Sequence, residues 1–153
     1  VNASAEETPV EETAAEPAYT VSETLTRPVP GEVMTEFSDT PVYSETMRAY
    51  RVHAGTDYTA AHGETVHACA NGIVKETHTD MLCGNMIVIE HGDYEVRYCG
   101  LGETFLVHEG DVVTAGQDIG SVTAAPFESA LDSHLHIEVI RNGEPVDPES
   151  VFG

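Results

Sequence analysis

Two short stretches of this sequence bring together side chains that can hold a metal ion. His134-Leu135-His136 is an H-x-H run in a segment that alternates apolar and polar residues. On a strand, residues i and i+2 point to the same face, which sets the two imidazoles side by side, roughly 6–7 Å apart at their bases. One ring can then ligate a metal while its neighbour handles a proton. His53-Ala54-Gly55-Thr56-Asp57 supplies a further imidazole and a carboxylate, with a glycine between them where a turn can bend both toward one point. Two imidazoles and one carboxylate make the ligand set of a catalytic zinc, with a fourth position left for water. The same set also suits iron(II). A closed structural zinc needs a fourth protein ligand, usually Cys, and none is placed for it. Cys69, Cys83 and Cys99 form no C-x-x-C pair.

Neighbouring chemistries fit less well. A cupin also uses an H-x-H strand, but there a Glu follows several residues on and another His comes later. Here Glu138 follows at once and no histidine occurs after His136. The His-Asp pair precedes the H-x-H run, the reverse of the common oxygenase order. The turns between Glu109 and Val122 resemble those of a lipoyl- or biotin-type carrier, yet no lysine stands at a hairpin tip. The other histidines read as ordinary polar residues. His62, His78, His91 and His108 lie in or beside turns, and His67 lies in a strand, facing solvent.

The elements that must position these residues are strands. Thr65–Ala70, Ile73–Thr77, Asn85–Glu90, Tyr94–Cys99 and His134–Ile140 are short β-rich runs. Asn71-Gly72, Gly92-Asp93, Gly110, Gly116 and Asn142-Gly143 punctuate them. Asn71-Gly72 is a tight-hairpin signal. No amphipathic helix of three turns is legible. One short helical turn is expected over Thr46–Tyr50, and Ala124–Ser133, broken by Pro126, is expected to be a loop. The fold class is therefore all-β and mostly antiparallel.

The 153 residues suit one domain. A formal net charge of -21 repels phosphate backbones and anionic lipid head groups, which argues against nucleic-acid binding. No run of 18 apolar residues is present to span a bilayer. The chain starts at Val1, and an upstream anchor or signal is expected to have been removed. Residues 1 to about 30 carry Glu6, Glu7, Glu11, Glu12, Glu16 and Glu23 among Ala, Thr, Ser and Pro, and are expected to form a disordered acidic tail. Pro28, Pro30 and Gly31 mark entry to a domain over residues 31–153. The three cysteines read as small buried apolar residues, with a Cys69–Cys99 bridge left open.

The motifs, in their order, resemble the LytM (lysostaphin-like) zinc metallopeptidase family. His53-Ala-Gly-Thr-Asp57, Gly63-Glu-Thr-Val66-His-Ala68 and Gly72-Ile-Val74 look like its opening. Gly110-Asp-Val-Val113, Ala115-Gly-Gln-Asp-Ile-Gly120, His134-Leu-His-Ile-Glu-Val139 and Asn142-Gly-Glu-Pro-Val-Asp-Pro148 continue the match. The resemblance implies a small β domain with zinc on His53, Asp57 and His136, and His134 as the catalytic histidine. It also implies peptidoglycan peptides as substrate. One departure stands out. The family's Tyr-x-His-Leu strand reads Tyr98-Cys99-Gly100-Leu101 here, so Gly100 replaces an expected histidine. With Met47–His53, Met81–Gly84 and the Ala124–Ser133 segment, the chain is similar to the stage II sporulation protein Q subgroup. That likeness implies an extracytoplasmic domain, anchored to a membrane through a segment absent from this chain, with a sporulation membrane protein as partner. Strand alternation places Gly100 on the face of Tyr98, toward the metal, and turns Cys99 away from it; His108 is the nearest replacement.

Overall fold

The computed structural model describes residues 19–123, 128 and 131–153. Twelve strands are named in chain order: β1 (Val33–Thr35), β2 (Ser38–Ser44), β3 (Ala49–His53), β4 (Thr56–Thr59), β5 (Thr65–His67), β6 (Gly72–Asp80), β7 (Gly84–His91), β8 (Tyr94–Leu101), β9 (Val112–Val113), β10 (Asp118–Ser121), β11 (His134–Arg141) and β12 (Glu144–Val146). A short 3₁₀ turn covers Pro148–Ser150. The main sheet runs β9-β6-β7-β8-β11-β4-β1, and β12 also pairs with β11. All these pairings are antiparallel. Two smaller pairs, β5–β10 and β2–β3, complete the fold. Among the described residues no helix is long and apolar enough to cross a membrane. The all-β antiparallel expectation holds.

The strand β11 organises the molecule. Its first half pairs with β4 on one edge, and its second half pairs with β12 on that edge, while β8 runs along the other. Period-2 alternation gives it two different faces. Leu135, Ile137 and Val139 are fully buried in the main core with Tyr58, Ile87, Ile89, Val96 and Tyr98. His134, His136 and Glu138 occupy the opposite face. A separate small cluster of Met86, Val88 and Cys99, joined by Cys83, also lies outside the main core.

Several turn signals are realised. Asn142 and Gly143 both have positive φ, 53° and 81°, as a type I′ turn requires, and they join β11 to β12. Gly92 likewise turns β7 into β8. Asn71-Gly72 does not form the expected hairpin. The strand β5 pairs with β10, and β6 with β7 and β9. A Cβ at Gly72 would sit 2.1 Å from the Glu90 carbonyl oxygen, so that glycine permits close approach of β7 rather than a turn. Residues Thr46–Tyr50 form no helix. Ser44 closes a turn onto Arg48 (2.8 Å), and Ala49 already belongs to β3.

The N-terminal boundary also differs from expectation. Residues 19–30 lie on the domain, with Leu25 and Val29 buried in its core. Thr26 N–H donates to Cys69 O, His67 N–H to Pro28 O, and Tyr19 hydroxyl to Glu90 (2.6 Å). Burial of these two apolar residues and the backbone bonds to the domain work against the ordering entropy of the segment. The disorder expected for residues 1–18 lies outside the described residues.

The cysteines are all free. Cys69 sits in the main core, whereas Cys99 lies in the small cluster with its Sγ 3.0 Å from that of Cys83. Cys99 therefore has Cys83, not Cys69, as its sulfur neighbour.

Because β11 carries core residues on one face and the histidines on the other, Ile137→Ala is expected to lower unfolding free energy by about 2–5 kcal/mol. Urea denaturation would measure it; a change under about 0.5 kcal/mol, typical of surface sites, would contradict this packing.

Candidate functional site

The strands bring His53, Asp57, His134 and His136 to one place. His53 ends β3, Asp57 lies in β4, and the two other histidines open β11. Asp57 is paired directly with His136, and Thr59 with His134. All four are buried, at 7%, 0%, 0% and 1% exposure. Gly55 makes the crossing from β3 to β4 possible. A Cβ there would stand 2.2 Å from the Ile137 carbonyl oxygen and 3.0 Å from His136 Cε1. The glycine of the His-x-Gly-x-Asp stretch thus lets the loop pass against β11.

Each imidazole is anchored on its outer nitrogen. His53 Nδ1–H donates to the Glu36 carbonyl (2.9 Å), His134 Nδ1–H to the Asp132 carbonyl (2.7 Å), and His136 Nε2–H to the Glu138 carboxylate (3.0 Å). The inner nitrogens, His53 Nε2, His134 Nε2 and His136 Nδ1, then face one another across two carboxylates. His53 Nε2 stands 3.4 Å from Asp57 Oδ2, and His136 Nδ1 stands 2.7 Å from Asp57 Oδ1. The second carboxylate is Glu128, which nothing in the sequence had singled out. Its Oε2 lies 2.7 Å from His53 Nε2, and its Oε1 lies 3.0 Å from His136 Nδ1 and 3.2 Å from His134 Nε2.

His53, Asp57, Glu128 and His136 form a group able to hold a metal ion, with ligand atoms within 4.8 Å of one another. Asp57 Oδ2 is buried without a hydrogen-bond donor among the described residues, an arrangement a cation would satisfy. The donor set of imidazole nitrogens and carboxylate oxygens fits zinc. Outer-nitrogen anchoring is the usual way a ligating imidazole is fixed in its tautomer. Burial lowers the His53 pKa, but Asp57 and Glu128 outweigh it and raise the ring to about 9. Burial works against the Glu128 carboxylate, yet the three imidazoles hold it well below its usual range. His136 is raised in the same way despite full burial, by Asp57, Glu128 and Glu138.

Position 100 is not as strand alternation implied. Gly100 has φ of 81°, and the pairing of β7 with β8 shifts register there, from Asn85↔Leu101 to Met86↔Cys99. It is a bulge residue, buried in the backbone turn, donating to Cys83 O (3.0 Å) and accepting from Thr123 N–H (2.7 Å). Tyr98 faces the core, where its hydroxyl accepts from Cys69 N–H and meets His91 Nε2 at 2.8 Å. Cys99, not Tyr98, is paired with His136 and shares its side of the sheet. His108 does not enter the site; it is an exposed side chain beside Asp111. His91, expected as a turn residue, is instead buried, and desolvation lowers its pKa to about 4.

Gly55→Ala tests the close crossing. Overpacking there is expected to lower stability by about 1–3 kcal/mol and to weaken metal binding about tenfold or more. Chelator competition on folded protein would read the second effect. Unchanged affinity and stability would show that the loop has room the geometry denies.

The model of peptidase family M23 matches residues 51–148, a stretch that contains His53, Asp57, Gly100, Glu128, His134 and His136. The chain is 36% identical over 96 residues to the peptidoglycan DD-endopeptidase ShyA of Vibrio cholerae, covering 62% of this chain and 22% of that protein. It thus spans under a quarter of that relative's length. Its fold is similar to a chain of the SpoIIQ–SpoIIIAH pore-forming complex, with a TM-score of 0.73, 22% identity, and 85% and 91% of the two chains covered. It is also similar to the catalytic domain of lysostaphin from Staphylococcus simulans, with a TM-score of 0.67, 24% identity, and 78% and 90% covered. With the family pattern running through the strands that build the site, this chain belongs to peptidase family M23.

Proposed function

We propose that this domain is a zinc-dependent, peptidoglycan-directed endopeptidase of the bacterial cell envelope, with His53, Asp57 and His136 as metal ligands. The observation that carries the reading is the convergence of three outwardly anchored imidazoles on the buried Asp57. Zinc held there supplies Lewis-acid polarisation of a scissile carbonyl and lowers the pKa of water toward neutrality. His134 is the proton-transfer residue. Its Nδ1–H is fixed on the Asp132 carbonyl, which aims Nε2 into the site, where it can carry or release a proton. Peptidoglycan is supported as target by the relatives whose names carry that activity, ShyA among them.

A second reading is favoured by Gly100. It offers no side chain to steady a developing oxyanion, and loss of one such group typically costs about 10²–10⁴ in rate. On this reading the domain is a zinc-bearing interaction module of the sporulation type, tethered to a membrane outside this chain and docking a membrane-protein partner. The hairpin β2–β3 supports it, since Tyr43, Tyr50 and Val52 are 50%, 73% and 53% exposed.

Metal content tests the zinc assignment. One zinc per chain is expected by elemental analysis, lost in His136→Ala and kept in His62→Ala. Stoichiometric zinc in His136→Ala would sink it. Protonated imidazole cannot ligate, and the carboxylates hold the metal-free His53 proton up to about pH 9. Apparent affinity should therefore fall as pH drops below that value, about tenfold per pH unit for each proton displaced.

Hydrolysis of purified peptidoglycan separates the two readings. Chelator-sensitive cleavage, reduced about 10²–10⁴-fold in His134→Ala, is the outcome expected of an endopeptidase. A folded, zinc-loaded protein that cleaves nothing would transfer the conclusion to the interaction module.

A further inference from the structure

We infer that Glu128 is a fourth protein ligand of the metal, which makes the centre a closed one. The inference rests on the zinc assignment above; a closed centre favours the interaction module over the endopeptidase, which needs a position for water. Glu128 is 6% exposed and reaches the centre of the site from outside the H-x-H and His-x₃-Asp motifs. Its two oxygens divide between ligands, Oε2 at 2.7 Å from His53 Nε2 and Oε1 at 3.0 Å from His136 Nδ1. Tetrahedral zinc with bonds of about 2.0–2.2 Å sets neighbouring ligand atoms roughly 3.3–3.5 Å apart. The His53 Nε2–Asp57 Oδ2 separation of 3.4 Å matches such an edge, and the shorter Glu128 contacts are hydrogen bonds from protonated imidazoles, whose protons a metal would replace.

Charge supports the same placement. Glu138 is offset by Arg97 at 3.6 Å, so zinc with Asp57 alone would leave a net charge of +1 in a buried pocket. A second carboxylate makes the centre neutral, which removes most of the cost of burying it. Leu131 N–H donates to the Glu128 carbonyl (3.0 Å), and Asp132 O holds His134. His134 Nε2 lies 3.2 Å from Glu128 Oε1 and, when protonated, donates to this carboxylate. A centre with four protein ligands has the character of a structural zinc site.

The test uses cobalt(II) in place of zinc, because its visible spectrum reports coordination. Wild-type protein, Glu128→Gln, Glu128→Ala and His136→Ala are compared, with circular dichroism to confirm folding. Wild type should give a spectrum indifferent to added azide and flat from pH 6.5 to 8.5. The Glu128 variants should bind metal about 10²-fold more weakly or worse, respond to azide, and titrate near pH 7 as a coordinated water does. Metal binding by Glu128→Gln and Glu128→Ala as tight as wild type, with His136→Ala unable to bind, would overturn the fourth ligand and leave the zinc reading intact. So would a wild-type spectrum that azide already perturbs. No metal binding by folded wild type would overturn both.

Discussion

A carboxylate with no exposure at all, Asp57, sets the terms for everything around it. An isolated charge so placed costs several kcal/mol even after relaxation. The surrounding residues make it tolerable. His136 lies directly opposite on β11, His53 comes in from the preceding strand, and the outer nitrogens of both rings are tied to acceptors. Those ties fix which nitrogen of each ring faces inward, so the rings present lone pairs to a cation or protons to the carboxylates. Either way the cluster needs positive charge at its centre. Glu138 extends the arrangement outward, since it holds His136 while Arg97 stands 3.6 Å from it.

The core and the site are two faces of one strand. Leu135, Ile137 and Val139 fill the hydrophobic interior, and their alternate neighbours aim the chemistry. A shift of β11 by one residue would bury the histidines in the core and expose the leucine and isoleucine, so core packing enforces the register of the ligands. Gly55 serves the same end from the other strand, because only a residue without a side chain passes the Ile137 carbonyl there. Precision in the site is thus inherited from apolar packing.

The motifs legible in the sequence were those carried by local periodicity. H-x-H on an alternating strand and His-x₃-Asp around a glycine require no knowledge of distant contacts. Glu128 was not legible, because only the tertiary path of the chain brings it to His53, which lies 75 residues away in sequence. The orientation at Gly100 was misread for a different reason. Period-2 counting assumes an unbroken strand, and a positive-φ bulge inserts one residue and reverses the faces beyond it. Asn71-Gly72 misled in a third way, since its glycine answers to the backbone of β7 rather than to a turn. Leu25 and Val29 were not legible as core residues, because they stand singly among polar residues and prolines with no period, and only contacts to distant strands bury them.

Retention of the ligand residues does not by itself argue for catalysis. Removing one partner from a buried charged cluster leaves the others uncompensated, at a cost of about 3–5 kcal/mol, a large part of the stability of an ordinary domain. His53, Asp57 and His136 therefore have a reason to persist in a domain that cuts nothing, because the fold has been built around their mutual neutralisation. Gly100 carries no such penalty. Glycine at that bulge leaves no buried charge unpaired, and the positive φ there suits it. Stability alone can therefore keep the buried cluster, while it makes no such demand at position 100.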